Sequence, residues 1–156
     1  MKRLLIFSDT HGYTDPCIDI INNTPNIAAV IHAGDYVSDA EDLSYIYPKM
    51  NILYVKGNND IFAKAPSYLI TQIDGATLYI THGHEQRVKY DYTLSTLRKA
   101  AIKHNPDLVI FGHTHEPYTG YDDGFITLNP GSVRYTKTYA IAEIDKGKVK
   151  TKIMEI

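Results

Sequence analysis

The chain has 156 residues, the usual size of one domain, and we expect residues 1–156 to form a single domain. Its hydrophobic content of 44% and charged content of 22% are typical of an ordinary globular protein. The formal net charge is -2 at pH 7 with acids and bases interspersed, which excludes an overall electrostatic footprint for a nucleic-acid backbone or an anionic membrane.

Two further features bear on the compartment. Cys17 is the only cysteine, so no intrachain disulfide can form, which suits a reducing environment. The N-terminal apolar stretch is too short for a signal peptide, and no apolar run approaches the roughly 20 residues that span a bilayer. We therefore expect a cytoplasmic protein with no membrane partner.

The first part of the chain alternates apolar runs with helix-like stretches. Pro16 suits the first turn of a helix, and Ser38 and Glu41 have the spacing of a capping box at the start of a second helix. The predicted elements are strand 3–8, helix 15–23, strand 28–33, helix 39–46 and strand 51–56.

The second part is richer in strands. Asp74-Gly75 is a strong hairpin signal between two of them. The predicted elements are strands 67–74 and 76–81, helix 91–104, and strands 107–111, 125–129, 138–144 and 148–155. Early helices favour a mostly parallel sheet and late hairpins favour antiparallel pairing. We predict an α/β (α+β) fold in which two mixed β-sheets stack face to face with the helices outside.

Five of the apolar runs end in side chains that bind metals. In open α/β sheets, ligands bind beyond the carboxyl ends of the strands, so five such ends predict one site at one edge of a sheet. The five segments are Ser8-Asp9-Thr10-His11, Gly34-Asp35, Gly57-Asn58-Asn59-Asp60, Thr81-His82-Gly83-His84 and Gly112-His113-Thr114-His115.

Imidazole and carboxylate together suit zinc, manganese, iron, nickel or cobalt rather than calcium or magnesium. The candidate ligands are too many for one tetrahedral ion; they are Asp9, His11, Asp35, Asn58, His82, His113 and His115. Two divalent ions bridged by one carboxylate would use them all, and Asp35, on a central run, is the natural bridge. Such a pair is the usual clamp for phosphoryl transfer, and its net positive charge would attract a phosphate ester.

In this order the five motifs resemble those of the calcineurin-like metallophosphoesterase superfamily. The short length and the segment Asn129-Pro130-Gly131-Ser132 resemble its small bacterial and archaeal phosphodiesterase branch. The resemblance implies a four-layer sandwich of two sheets flanked by helices, and hydrolysis by a hydroxide held between two metals. Members of the family are commonly active with manganese and often with nickel, so the resemblance implies manganese as the metal. It also implies a homodimer or homotetramer.

The resemblance also implies a distribution of ligands between the two ions. The first ion would be held by Asp9, His11 and His115. The second would be held by Asn58, His82 and His113. Asp35 would bridge them.

One position departs from the family pattern. Many members have a histidine after the asparagine corresponding to Asn58, and that histidine helps to protonate the leaving group; this chain has Asn59, whose amide is no general acid. We therefore expect activated esters to be cleaved more readily than alkyl esters. His84 is the candidate replacement, with a role in orienting a ligand as the alternative. Asp60 is expected to orient a ligand or to cap a turn.

Other residues near the motifs are expected to support the site. His32, inside an apolar run, reads as a core histidine whose hydrogen bonds are satisfied, and Asn129 could brace a histidine loop. Tyr13, Tyr36 and Tyr118 follow motif residues closely. They either rim a pocket, where they could stack on a nucleobase, or pack as amphipathic surface.

The sequence thus predicts a dinuclear metal-dependent phosphodiesterase acting on small or nucleotide-like diesters, with Asp35, Asn58 and His84 in catalytic roles. Two alternatives stay open. The ligand set does not separate a phosphodiesterase from a phosphomonoesterase. A scaffold subunit of a membrane-trafficking coat also resembles this fold and acts mainly by binding partners.

Overall fold

The computed structural model describes residues 1–156, which form ten strands and three helices. In chain order the elements are β1 (Lys2–Phe7), α1 (Asp15–Asn23), β2 (Ile27–His32), α2 (Val37–Ile46), β3 (Ile52–Tyr54), β4 (Tyr68–Ile73), β5 (Ala76–Thr81), α3 (Ser95–Ile102), β6 (Leu108–Ile110), β7 (Tyr118–Asp122), β8 (Phe125–Asn129), β9 (Thr138–Asp145) and β10 (Lys148–Glu155). None of the three helices is long and apolar enough to cross a membrane.

The strands form two mixed five-stranded sheets. The first has the order β10-β9-β1-β2-β3 and the second the order β4-β5-β6-β8-β7. The strands that precede the motifs run parallel, β1 with β2 and β2 with β3 in the first sheet, and β5 with β6 in the second. Their carboxyl ends are therefore adjacent within each sheet.

The packing produces four layers because strands in the middle of each sheet are buried on both faces. On β1, Leu4 and Ile6 point into the largest core cluster, which also contains Ile80 and Ile110 from the second sheet. The intervening Leu5 packs on the other face with residues of α1 and α2. A third cluster places α3 on the outer face of the second sheet. The predicted fold of two stacked sheets flanked by helices is confirmed.

Four details differ from the sequence prediction. Strand β7 was not predicted, because its side chains are largely exposed and Gly120 interrupts it. Strands β3 and β6 are shorter than predicted. Helix α2 begins at Val37 and its N-cap residue is Tyr36, whose side chain makes no capping hydrogen bond, so the predicted capping box of Ser38 and Glu41 is wrong. Helix α3 begins at Ser95 rather than at 91, because Asp91 accepts hydrogen bonds from the side chain of Ser95 and the backbone N–H of Thr96 in a turn that precedes the helix.

Candidate metal centre

The motif loops of the two sheets meet at one edge of the molecule. The backbone N–H of Asp9 donates to the carbonyl oxygen of Gly34 (3.0 Å), which joins the loops after β1 and β2. The backbone N–H of His113, after β6, donates to Oδ2 of Asp9 (3.0 Å), which joins the first sheet to the second. The single site predicted from five strand ends therefore corresponds to one cluster of loops.

Three glycines allow this close approach. A Cβ at Gly34 would lie 2.6 Å from Nδ1 of His82, and one at Gly57 would lie 2.8 Å from Cγ of Asp35. A Cβ at Gly112 would lie 2.8 Å from Oδ2 of Asp9. Since real Cβ atoms do not approach other heavy atoms this closely, each glycine is required by a candidate ligand on a neighbouring loop.

The backbone is also strained at the candidate ligands themselves. Positive φ is uncommon outside glycine and often marks functional sites when other contacts hold it in place. Five of the seven candidate ligands have it: Asp9 (51°), His11 (45°), Asp35 (60°), His113 (68°) and His115 (63°). These turns re-aim each side chain after its strand ends.

A first compact group consists of Asp9, His11 and His115, whose possible ligand atoms all lie within 4.8 Å of one another. Oδ1 of Asp9 lies 3.1 Å from Nε2 of His115 and 3.7 Å from Nε2 of His11. Oδ2 of Asp9 is occupied by the hydroxyl of Ser8 and the N–H of His113, so only Oδ1 faces the histidines.

A second compact group consists of Asp9, Asp35 and His82. Nε2 of His82 lies 3.5 Å from Oδ1 of Asp35 and 3.8 Å from Oδ1 of Asp9. Oδ2 of Asp35 faces the other way and lies 3.6 Å from Nε2 of His11. The two oxygens of Asp35 are thus divided between a histidine of each group.

The orientation of His82 leaves a lone pair for a cation. Its Nδ1 lies 2.7 Å from the carbonyl oxygen of Ala33, which can only accept, so Nδ1 carries the hydrogen. Burial lowers the pKa of His82, but the carboxylates of Asp35 and Asp9 raise it above its usual value, so a positive charge at Nε2 is favoured. When the ring is neutral, Nε2 is an acceptor that faces Oδ1 of Asn58 at 3.1 Å and two carboxylate oxygens. Several acceptors pointing at one another fit a bound cation.

Asn58, His84 and His113 lie at the margin of these groups. Asn58 reaches the second group through its contact with His82. The ring of His113 lies 5.0 Å from that of His82, outside both compact groups. The ring of His84 lies 5.5 Å from that of His82 and 6.1 Å from that of His113, and its Nδ1 is buried without a hydrogen-bond partner.

Unsatisfied buried atoms provide a separate test of whether the donor set fits metals. Oδ1 of Asp9 and Nε2 of His11 are buried and have no hydrogen-bond partner. Leaving such groups unpaired costs free energy, more so for a charged group, and a divalent cation would satisfy both. The mixture of imidazole and carboxylate is also what the metals named above prefer. The residues therefore fit a metal centre.

The electrostatics favour ionised carboxylates. Burial raises the pKa of Asp9, but its contacts with His11 and His115 hold that pKa well below its usual value. Burial also raises the pKa of Asp35, but His82 and Asn59 lower it to about 2.

His113, beside Asp9 and Asp35, is neutral at physiological pH. Burial, followed by the positive charge that His82 carries when it is protonated, lowers the pKa of His113 to about 4. A neutral imidazole is the form that binds metals.

Supporting residues hold the loops in place. Asn129 donates to the carbonyl oxygen of Gly112 (3.0 Å) and to Oγ1 of Thr114 (3.0 Å), as predicted for a residue bracing a histidine loop. His32 is fully buried and lies 2.9 Å from the hydroxyl of Thr10, which in turn donates to Asp39 (2.6 Å). The prediction of a satisfied core histidine is confirmed.

Sequence reasoning missed three contributors. Thr10 and Asp39 complete the chain of hydrogen bonds from His32, and Asp39 also accepts from the N–H of Gly12 (2.8 Å). The ring of Tyr135 stacks on that of His115, with centroids 4.9 Å apart and planes 15° apart. A polar residue in an amphipathic helix and one tyrosine among 13 carry no sequence signal for these roles.

Tyr36 and Asp60 lie at one side of the centre. The ring of Tyr36 lies 5.1 Å from that of His11, so this tyrosine borders the site. Of its two predicted roles, this agrees with a position at the rim of a pocket. Asp60 accepts hydrogen bonds from the backbone N–H groups of Tyr36, Val37 and Gly57, which makes it the cap of α2 supplied from another loop. Capping was one of its two predicted roles.

Comparisons with known proteins identify the family. Residues 1–147 match the family model of the calcineurin-like phosphoesterase superfamily domain, and the chain belongs to that superfamily. It is 27% identical over 158 residues to a probable metallophosphoesterase of Mycoplasma pneumoniae, covering 96% of this chain and 94% of the relative. It is 32% identical over 146 residues to a phosphodiesterase of Methanocaldococcus jannaschii, covering 83% and 82%.

Solved structures agree with the family. A conserved Streptococcus pneumoniae protein described as a "predicted phosphoesterase" superposes with a TM-score of 0.78 at 26% identity, covering 99% of this chain and 89% of that one. An archaeal phosphodiesterase gives a TM-score of 0.73 at 27% identity, covering 97% and 99%. Vacuolar protein sorting 29 of Cryptosporidium parvum gives 0.75 at 18% identity, covering 99% and 97%, which shows a shared fold alone.

Proposed function

We propose that this chain is a metal-dependent phosphodiesterase that hydrolyses small or nucleotide-like phosphate diesters at a dinuclear centre. The observation that carries the proposal is the division of Asp35, whose Oδ2 faces His11 and whose Oδ1 faces His82. One carboxylate with a histidine on each side is the arrangement that two neighbouring cations need. The Methanocaldococcus jannaschii relative, named a phosphodiesterase, supports the substrate class.

The residues would share the metals as follows. Asp9, His11 and His115 would hold the first ion. Asn58, His82 and His113 would hold the second, and Asp35 would bridge the two. Manganese is the expected metal, with nickel, zinc, iron or cobalt as alternatives. When bound, the ions would lower the pKa of a coordinated water and neutralise charge on the phosphate oxygens.

The chain's own residues would position the reaction. Ser8 and the N–H of His113 fix Oδ2 of Asp9, so that Oδ1 stays aimed at the centre. Ala33 fixes the ring of His82 in one orientation. Holding ligands in advance in this way reduces the reorganisation needed when substrate binds.

His84 is proposed to contact the substrate. It lies beside His82 and His113, and its buried Nδ1 has no protein partner. This chain has Asn59 where many members of the superfamily have a histidine that helps to protonate the leaving group. Because an amide is no general acid, good leaving groups should react faster than alkoxides. If His84 assists departure, His84→Ala should make the rate depend more steeply on the leaving-group pKa.

Hydrolysis of bis(p-nitrophenyl) phosphate tests the proposal directly. The purified protein would be assayed with manganese, nickel, cobalt and zinc, beside the Asp35→Asn and His113→Ala variants. Both variants should lose at least 100-fold in kcat/KM, since Asp35→Asn removes the charge and the second oxygen of the proposed bridge and His113→Ala removes a proposed ligand. His104→Ala is the matched control, because His104 stacks on Tyr79 outside the centre.

The outcomes separate the alternatives. No turnover with any of the four metals would show that the chain is not this enzyme and would favour a binding role. Faster hydrolysis of p-nitrophenyl phosphate than of the diester would favour a phosphomonoesterase. Undiminished turnover in Asp35→Asn would place the active site elsewhere.

A further inference from the structure

A cavity of about 480 Å³ opens beside the candidate metal centre. It lies between the loop that follows β5 and the loop that follows β6. Six of its ten lining residues are hydrophobic, among them Val88, Phe111, Tyr92 and Tyr118. Its volume falls within the range of roughly 300–1,000 Å³ that is usual for pockets that bind small molecules.

Both walls of the cavity begin at the histidine pairs. Thr114, which lines it, stands between His113 and His115. On the other wall, the N–H of Val88 donates to the carbonyl oxygen of Gly83 (3.3 Å), the residue between His82 and His84. A molecule that placed its phosphate at the metal centre would therefore meet this cavity with the group attached to the phosphate.

The lining suits a flat aromatic group. Phe111 and Val88 are buried and form an apolar base. The ring of Tyr118 lies 6.2 Å from that of Phe111 at an angle of 59°, while Tyr92 is 94% exposed and its ring is free to cover a ligand. Aromatic rings stack on nucleobases with little dependence on which base is present.

Polar groups occur on both walls, and Lys89 lies on the side of the β5 loop. The carboxylate of Glu116 and the hydroxyl of Thr114 line the cavity on the side of the β6 loop. A sugar hydroxyl or a base amine could donate to the carboxylate of Glu116 while the ring of the base lay against the apolar residues. Oγ1 of Thr114 already accepts from the amide of Asn129 (3.0 Å) and the N–H of Glu116 (3.3 Å), so its hydroxyl is left to donate. An aliphatic chain would offer no hydrogen bond to either side chain.

We propose that this cavity binds the nucleoside part of a nucleoside phosphodiester whose phosphate lies at the metal centre. The inference rests on the proposed function and makes it more specific, because it selects a nucleoside ester over a simple alkyl ester. Tyr92 and Tyr118 act as specificity-determining residues that stack on the base.

Two diesters with the same leaving group test this selection. Thymidine 5′-(p-nitrophenyl phosphate) and methyl p-nitrophenyl phosphate differ only in the group that the cavity would hold. In Tyr118→Ala and Tyr92→Ala, the ratio of kcat/KM for the thymidine ester to that for the methyl ester should fall about tenfold, in line with the loss of one stacking contact. Tyr121→Ala, on the same strand as Tyr118 but outside the cavity and 72% exposed, should keep the wild-type ratio.

A binding measurement separates this inference from the proposed function. Isothermal titration with adenosine 5′-monophosphate should show binding to the wild-type protein and to Tyr121→Ala, and weaker binding to Tyr118→Ala. Turnover of both esters with an unchanged ratio in all variants would overturn the nucleoside cavity and leave the phosphodiesterase intact. Nucleotide binding that depends on Tyr118, without hydrolysis of either ester, would support the cavity and overturn the phosphodiesterase. Neither binding nor hydrolysis would overturn both.

Discussion

Asn59 holds the carboxylate of Asp35 with two hydrogen bonds, one from its backbone N–H to Oδ1 (3.1 Å) and one from its side-chain amide to Oδ2 (2.8 Å). Many members of the superfamily have a histidine at this position. In this chain Asn59 takes its place, is hydrogen-bonded to the proposed bridging carboxylate and orients both of its oxygens. Asn59 therefore contributes to the centre by positioning a ligand, although its amide cannot donate a proton to a leaving group.

Asn59→Ala should weaken metal binding. The substitution removes the bond to Oδ2 and keeps the backbone bond to Oδ1, so that Asp35 becomes free to rotate. Residues that orient metal ligands typically contribute tenfold to hundredfold in affinity, and we expect a loss of about that size. Titration calorimetry with manganese measures it, with the exposed Asn51→Ala as the control. Equal affinities in the two variants would falsify the positioning role.

Tyr135→Ala should weaken the binding of the ion that His11 and His115 would hold. The ring of Tyr135 stacks on that of His115 and lies 5.2 Å from that of His11 in an edge contact, so it limits the rotation of both. We expect a loss of affinity of about tenfold, by analogy with other groups that orient ligands. Tyr135→Phe should retain near-normal affinity because stacking needs only the ring.

The comparison of the two Tyr135 variants decides the mechanism. If Phe were as harmful as Ala, the hydroxyl rather than the ring would matter. Tyr45→Ala, at an 83% exposed position on α2, controls for the loss of a surface tyrosine.

Local pattern was sufficient to predict the parts of the site that follow strand ends. Apolar runs of β1, β2, β5 and β6 are buried on both faces, so they stand out in the sequence, and their motif residues follow at once. The fold class and the family are confirmed. Strand β7 was missed because an edge strand that is mostly exposed has no alternation to recognise.

Contacts between distant segments could not be predicted in this way. Ser132 lies 123 residues after Asp9 in the sequence, yet its hydroxyl donates to the carbonyl oxygen of Asp9 (2.8 Å). The same hydroxyl accepts from the N–H of Tyr135 (3.0 Å). Only the pairing of β9 with β1 brings this turn beside the first motif. The segment Asn129-Pro130-Gly131-Ser132 was expected to form a turn near the site, but nothing local to it indicates that Ser132 contacts Asp9 or that Tyr135 stacks on a histidine.

Asp60→Ala should destabilise the fold as well as the site. Its carboxylate accepts from the N–H groups of Tyr36 (3.0 Å), Val37 (2.9 Å) and Gly57 (2.8 Å), and thus ties the start of α2 to the loop after β3. Loss of the helix cap, together with loss of the acceptor for the N–H of Gly57, should lower the free energy of unfolding by about 1–3 kcal/mol. Urea denaturation measures the free energy of unfolding. The exposed Asp42→Ala in the same helix should change it by less than about 0.5 kcal/mol, and an equal effect in both would contradict the capping role.

Metal addition should raise the melting temperature. Asp9 and Asp35 are buried together, and Oδ1 of Asp9 has no hydrogen-bond partner, so a cation relieves both repulsion and an unsatisfied charge. A ligand at about 100 times its Kd stabilises by about 2.7 kcal/mol, which corresponds to roughly 5–10 °C for a chain of this size. A thermal melt in manganese, compared with one in a chelator, measures the shift. The shift should shrink in Asp35→Asn and persist in His104→Ala; the same shift in all three proteins would mean that manganese binds elsewhere.

Asp91 should make the stability of the turn before α3 depend on pH. Hydrogen bonds from the side chain of Thr93, the backbone N–H of Thr96 and the side chain of Ser95 hold the pKa of Asp91 well below its usual value. A carboxylate whose pKa is lower in the folded than in the unfolded chain stabilises the fold above its ordinary pKa of about 3.9 and loses that contribution as the pH falls further.

The difference in unfolding free energy between the wild type and Asp91→Ala should therefore be constant from about pH 7 to pH 5 and shrink below about pH 4. Urea denaturation at a series of pH values follows this difference, with Asp42→Ala as the exposed control. A difference that stayed constant down to pH 3 would mean that the hydrogen bonds to Asp91 do not require its ionised form. A difference that grew as the pH fell would reverse the sign and contradict the lowered pKa.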